Sequence, residues 1–167
     1  MSRTVVMKAE YVNPFIVCTI RTLKSLIQVD AMRADISSRA QPYAGYEVML
    51  LLGVAGDIEG QVVYGMRLGV ALDLASRMMF GAPLDDLDNL AKSALSELAL
   101  ITFDTVRNEL AAAGFHCMST PPSVITSYLT KGLEMDISTA RIRTLIVPIS
   151  YEAGEIEINI ALRRKKT

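Results

Sequence analysis

Residues 87–113 constrain this chain more than any other stretch, because their pattern fits one long helix with a wide apolar side and a polar side carrying an acid beside a leucine. At about 100° per residue, Leu87, Leu90, Ala94, Leu98, Ile101 and Thr105 share one side, with Ala91, Leu95, Val106 and Leu110 close by. A stripe that wide has to be covered by a core. Asn89, Ser93, Glu97, Leu100, Asp104 and Asn108 fall opposite. Asp85 and Asp86 stand where the first turn is expected, and acids there complement the unpaired N–H groups and the positive end of the helix dipole. Gly114 is placed to stop the helix.

At 167 residues the chain fits one domain, residues 1–167, large enough to bury its own core without disulfides or metals. Hydrophobic residues make up 51% of it and the mean hydropathy is +0.32, yet its longest uncharged apolar run, residues 48–56, is far short of the roughly 20 residues of a membrane span. The opening residues, 1–4, lack the apolar segment of a secretory signal, which makes the cytoplasm the expected location. A net charge of −1 gives no global field for nucleic acid, and residues 163–167 read as a basic, solvated tail. Cys18 and Cys117, each in apolar surroundings, read as buried free thiols, and a single histidine, His116, cannot form a two-histidine metal site.

Residues 7–12 read as a short strand, after which Asn13 as N-cap and Pro14 at the first helical position open a helix carrying Phe15, Ile16, Ile20, Leu23 and Ile27. Residues 37–45 read as an irregular connection. Residues 47–54 and 58–66 form a hairpin around Ala55-Gly56-Asp57. Gly53, Gly56 and Gly60 read as turn and bulge residues rather than a phosphate loop. Residues 67–80 form a further helix with methionine as core filler, and strands are expected at 123–128, 141–151 and 155–162, with a polar stretch over 131–138. The alternation of 155–162 predicts one wet face and one covered by helices. The fold class is α+β, a largely antiparallel sheet covered by long helices.

The pieces Tyr11-Val12-Asn13-Pro14-Phe15, Gly53-Val54-Ala55-Gly56-Asp57-Ile58-Glu59-Gly60, Ala94-Leu95-Ser96-Glu97-Leu98-Ala99, Thr120-Pro121-Pro122-Ser123-Val124-Ile125 and Gly154-Glu155-Ile156-Glu157-Ile158-Asn159-Ile160 occur in this order. Together they resemble the CheX branch of the CheC/CheX/FliY family of bacterial chemotaxis phosphatases, over residues 11–162. The resemblance implies binding of a phosphorylated CheY-like response regulator, hydrolysis of its aspartyl phosphate, and pairing of two copies as a homodimer. It also implies that the Mg²⁺ is held by the regulator, leaving this chain with no cofactor of its own.

In that family a Glu-x-x-Asn pair lies along the helix, the acid meeting a regulator lysine and the amide holding the attacking water. Residues three apart share a helix face, so one helix presents both. Glu97 matches the acid, but Leu100 stands where the amide belongs and makes no hydrogen bond. Losing one orienting contact of about 3 kcal/mol slows turnover on the order of a hundredfold. Ser93, Ser96 and Asp104 are the candidates to stand in for the amide, although Asp104 lies about 10 Å further along the axis and its charge opposes a phosphoryl group. The sequence thus leaves two readings open beside the phosphatase: a regulator-binding domain with impaired catalysis, in which Leu100 is an apolar anchor, and a scaffold domain that needs neither Glu97 nor phosphorylation.

Overall fold

The computed structural model describes residues 7–34, 37–39, 45–126 and 144–166. The expected polar stretch at 131–138 and the opening residues 1–4 lie outside these. Three helices, α1 (Ala9–Ile27), α2 (Leu68–Met78) and α3 (Asn89–Ala112), pack on an antiparallel sheet. Its strands are β1 (Met32–Arg33), β2 (Ser37–Arg39), β3 (Val48–Gly56), β4 (Ile58–Met66), β5 (Cys117–Ser119), β6 (Ser123–Thr126), β7 (Thr144–Tyr151) and β8 (Gly154–Arg164). The order is β1-β7-β8-β4-β3-β5, with β2 also on β7 and β6 also on β3. The expected α+β class and the expected hairpin of β3 and β4 are what the chain forms, and β7 and β8 form a second one.

The centre of the sheet is the long pairing of β4 with β8, running from Ile58 opposite Arg164 to Met66 opposite Ile156. Ile156, Ile158, Ile160 and Leu162 of β8 join Val62, Tyr64 and Met66 of β4 in one apolar layer with Phe15, Leu23, Leu95, Val106 and Leu110 from the helices. Burial on this scale is the main stabilising contribution to such a fold.

Several expectations are corrected. The first helix begins at Ala9 with Lys8 as N-cap, so residues 9–12 are helical rather than extended and Pro14 sits inside the helix. A proline there removes the N–H that would reach the Glu10 carbonyl, but Tyr11 and Val12 are buried, and their packing offsets the lost bond. Ser37–Arg39 is a strand on β7, not part of an irregular connection. The second helix stops at Met78, two residues early, because Phe80 and Gly81 both take positive φ. Its methionine 78 only partly joins the core, and its buried residues are Val70, Ala71, Leu74 and Ala75. Arg163 and Arg164 belong to β8 rather than to a free tail; Arg163 pairs with Glu59 at 2.7 Å, and Arg164 lies over the Phe115 ring.

The face of β8 expected to be wet is exposed at Glu155 and half-buried at Glu157, but its middle is buried as well. Asn159 is 1% exposed, Val63 and Ile146 beside it have no exposed surface, and Ala161 is covered. Tyr46 supplies part of the cover: its ring lies so close to Gly65 that a side chain there would collide with it, and its hydroxyl accepts from Asn159 Nδ2 at 3.5 Å. The same amide donates to the Val63 and Glu157 carbonyls. Both cysteines are buried free thiols, as their sequence surroundings suggest, and burial pushes both up from the ordinary thiol value.

The outer face of the third helix

The start of α3 is fixed by Asp88, whose Oδ1 accepts from the Ala91 N–H at 2.8 Å, an N-cap bond that satisfies one orphan donor of the first turn. Asp85 and Asp86 therefore precede the helix instead of lying in its first turn; Asp86 Oδ1 accepts from Leu87 N. Leu87 is buried but lies before the cap. Counting helical steps from it carries the wrong phase across the cap, and the true inner side is Ala91, Leu95, Leu98, Ala99, Thr102, Phe103, Val106 and Leu110. Leu90, expected in the core, is 64% exposed. At the far end Gly114, with φ +91°, turns the chain, and the Phe115 N–H reaches back to the Leu110 carbonyl.

Support behind the helix comes mainly from α1 and α2, and α1 is in turn tied to β4. Thr19 donates to the Phe15 carbonyl and lies 3.0 Å from the Tyr64 hydroxyl, while Thr102 Oγ1 donates to the Leu98 carbonyl at 2.8 Å. Burial pushes the Tyr64 phenol up to about 12, and its hydrogen bond with Thr19 offsets a part of that. The helix is thus held by packed side chains on its inner side, which leaves the outer side free to carry other groups.

On that outer side Ser93, Glu97, Leu100 and Asp104 are exposed and Ser96 is half-buried. Leu100 keeps 38% of its surface in contact with solvent, so it is not a core residue. Among the described residues Glu97 makes no hydrogen bond and no ion pair. An open groove runs between α3 and β6, and it brings together Ser93, Ser96, Glu97 and Leu100. Asp104 stands outside this groove, paired with Arg107 at 3.1 Å. Asn89, which helical spacing already sets outward, also lines it, as do Lys92 and Val124, which the sequence does not point to. Asn89 falls in line with Ser93 and Glu97 at four-residue steps, a signal the sequence does carry. Val124 has none, because it arrives from β6, far along the chain.

Chemically, the groove offers one carboxylate, one ammonium, two hydroxyls, the Asn89 amide and an apolar spot at Leu100 and Val124. The amide is about 12 Å along the axis from Glu97, too far to act beside it. Among the described residues no cluster of three or more histidine, cysteine or acidic side chains could hold a metal ion, and no helix is long and apolar enough to cross a membrane.

The family model of the chemotaxis phosphatase CheX matches residues 48–138, more than half of the chain, including β3, β4, α2 and all of α3. The chain belongs to the CheX family. A relative, the CheY-P phosphatase CheX of Thermotoga maritima, is 29% identical over 158 residues, covering 94% of this chain and 98% of that protein. The CheX fold is shared with the crystal structure of the CheX–CheY–BeF3–Mg²⁺ complex from Borrelia burgdorferi, at TM-score 0.75 and 28% identity, covering 94% of this chain and all of that one. CheX of Vibrio vulnificus shares it at TM-score 0.79 and 22% identity, over 93% of this chain and 100% of that one.

Proposed function

We propose that this CheX-family chain docks through the outer face of α3 on a CheY-like response regulator carrying an aspartyl phosphate, and shortens the lifetime of that phosphate. The observation that carries the reading is Glu97: an exposed carboxylate without a partner among the described residues, on a helix whose other side is locked into the core. A free acid of this kind can pair with a cation on the regulator, at no loss to a contact within its own chain. The name of the Thermotoga relative and the Borrelia complex support the same direction. Ser93, Ser96 and Leu100 border the contact, and Asp104 flanks it. Mg²⁺ is supplied by the regulator, and the chain needs no cofactor of its own.

Leu100 sets the expected rate. Phosphoryl transfer depends mainly on positioning, and a leucine cannot orient water, so the acceleration is small and comes from the regulator's own groups held in place by docking. Phosphate release from a phosphorylated CheY receiver domain, measured with and without saturating chain, tests this; an unchanged rate ends the phosphatase reading. Leu100→Asn is expected to raise the rate, by up to about a hundredfold.

A second reading, retention of the phosphorylated regulator without turnover, is favoured by the exposure of Leu100 beside Val124, an apolar spot suited to a partner's side chain. It predicts binding with no change of lifetime. Binding that ignores phosphorylation and survives Glu97→Ala would instead identify a scaffold. We further infer a cytoplasmic homodimer that covers an open sheet edge; sedimentation at the 18.2 kDa of one chain overturns the dimer.

A further inference from the structure

We propose that Lys92 is the residue that lets the α3 face distinguish a phosphorylated partner from an unphosphorylated one, its ammonium meeting the anionic oxygens of the phosphoryl group. The inference rests on the docking reading given above and adds a residue that neither the helix motif nor the family resemblance assigns.

Three observations lead to it. Lys92 is the fourth residue of α3, within the turn that follows the Asp88 cap, where the helix dipole disfavours a cation. Its side chain is half-buried along the groove, and its ammonium forms no ion pair or hydrogen bond among the described residues. A lysine whose stem packs on the surface and whose ammonium has no partner in its own fold keeps that charge available for a contact outside it.

The third observation is the arrangement of charge. Lys92 and Glu97 line the same groove about 7.5 Å apart along the helix axis, one cation and one anion, with the hydroxyls of Ser93 and Ser96 between them. A phosphoryl group seated beside a cation presents the opposite pattern: negative oxygens next to a positive neighbour. Glu97 answers the neighbour. Lys92 is the one positively charged side chain lining the groove among the described residues, and with Leu100 providing no donor it is the group able to answer the oxygens by charge.

The test is a titration of wild type, Lys92→Met, Lys92→Arg and Glu97→Gln against a CheY receiver domain in Mg²⁺, with and without beryllofluoride. Lys92→Met is expected to lose about tenfold in affinity for the beryllofluoride form, the size of one charge-assisted hydrogen bond, and little for the bare form. Lys92→Arg should keep the preference, and Glu97→Gln should weaken both forms. Unchanged thermal midpoints establish that the variants fold. Wild type preferring the beryllofluoride form while Lys92→Met keeps that preference overturns the Lys92 assignment alone. Equal weakening of both forms by Lys92→Met overturns it too. Wild type binding neither form removes the docking reading, and this inference with it.

Discussion

On the inner side of α3, Leu95, Val106 and Leu110 have no exposed surface, whereas on the outer side Glu97 is open to solvent and Leu100 keeps more than a third of its area exposed. The two sides differ in what holds their composition in place. Inside, each side chain fills a space shared with α1 and the sheet, and the penalty for change is a cavity. Outside, Glu97 has no partner among the described residues, so its choice is free to be set by what that surface meets. One helix thus separates stability from recognition by its two sides.

Changing one side at a time sharpens this division. Leu95→Ala should have the largest effect, about 2–5 kcal/mol of lost stability in chemical denaturation, because no solvent reaches that site. The affinity of the remaining folded protein for a regulator should not change, and a loss of affinity as large as the loss of stability would break the division.

A smaller effect is expected at alkaline pH. The Tyr64 phenol ordinarily titrates at 10.0 and is pushed by burial up to about 12 in the fold, so the folded state holds its proton longer than the unfolded one. The stability from the neutral, bonded phenol is complete below pH 10 and is lost as pH rises through about 12, on the order of 3 kcal/mol in all. Tyr64→Phe should flatten that decline in denaturation curves recorded across the range, and a variant that declines as steeply as wild type would place its origin elsewhere. Smallest of all, Glu97→Gln should shift stability by less than about 0.5 kcal/mol, since no partner in the fold is lost, while regulator binding weakens.

Much of this division is legible in the sequence. The outward positions of Ser93, Glu97 and Leu100 follow from helical spacing alone, and the hairpin of β3 and β4 follows from two apolar runs around Gly56. What fails is local signalling that tertiary packing overrides. Asn13-Pro14 has the form of a helix start, yet the gain from burying Tyr11 and Val12 extends the helix past it. Leu90 reads as inward when counted from Leu87, but the Asp88 cap between them resets the phase. The groove was half visible: one wall is a single helix, and the other is brought by β6, which no spacing along α3 can announce.

Asn159, embedded in the middle of β8, has a consequence for how the strands align. A slip of β8 by one residue against β4 would turn this amide toward the helices, into an apolar layer, and would bring Ile158 and Ile160 to the opposite side. An amide stranded there costs about 1–3 kcal/mol in addition to the misplaced isoleucines, so Asn159, with Glu157 on the same face, helps to key the register of the central pair.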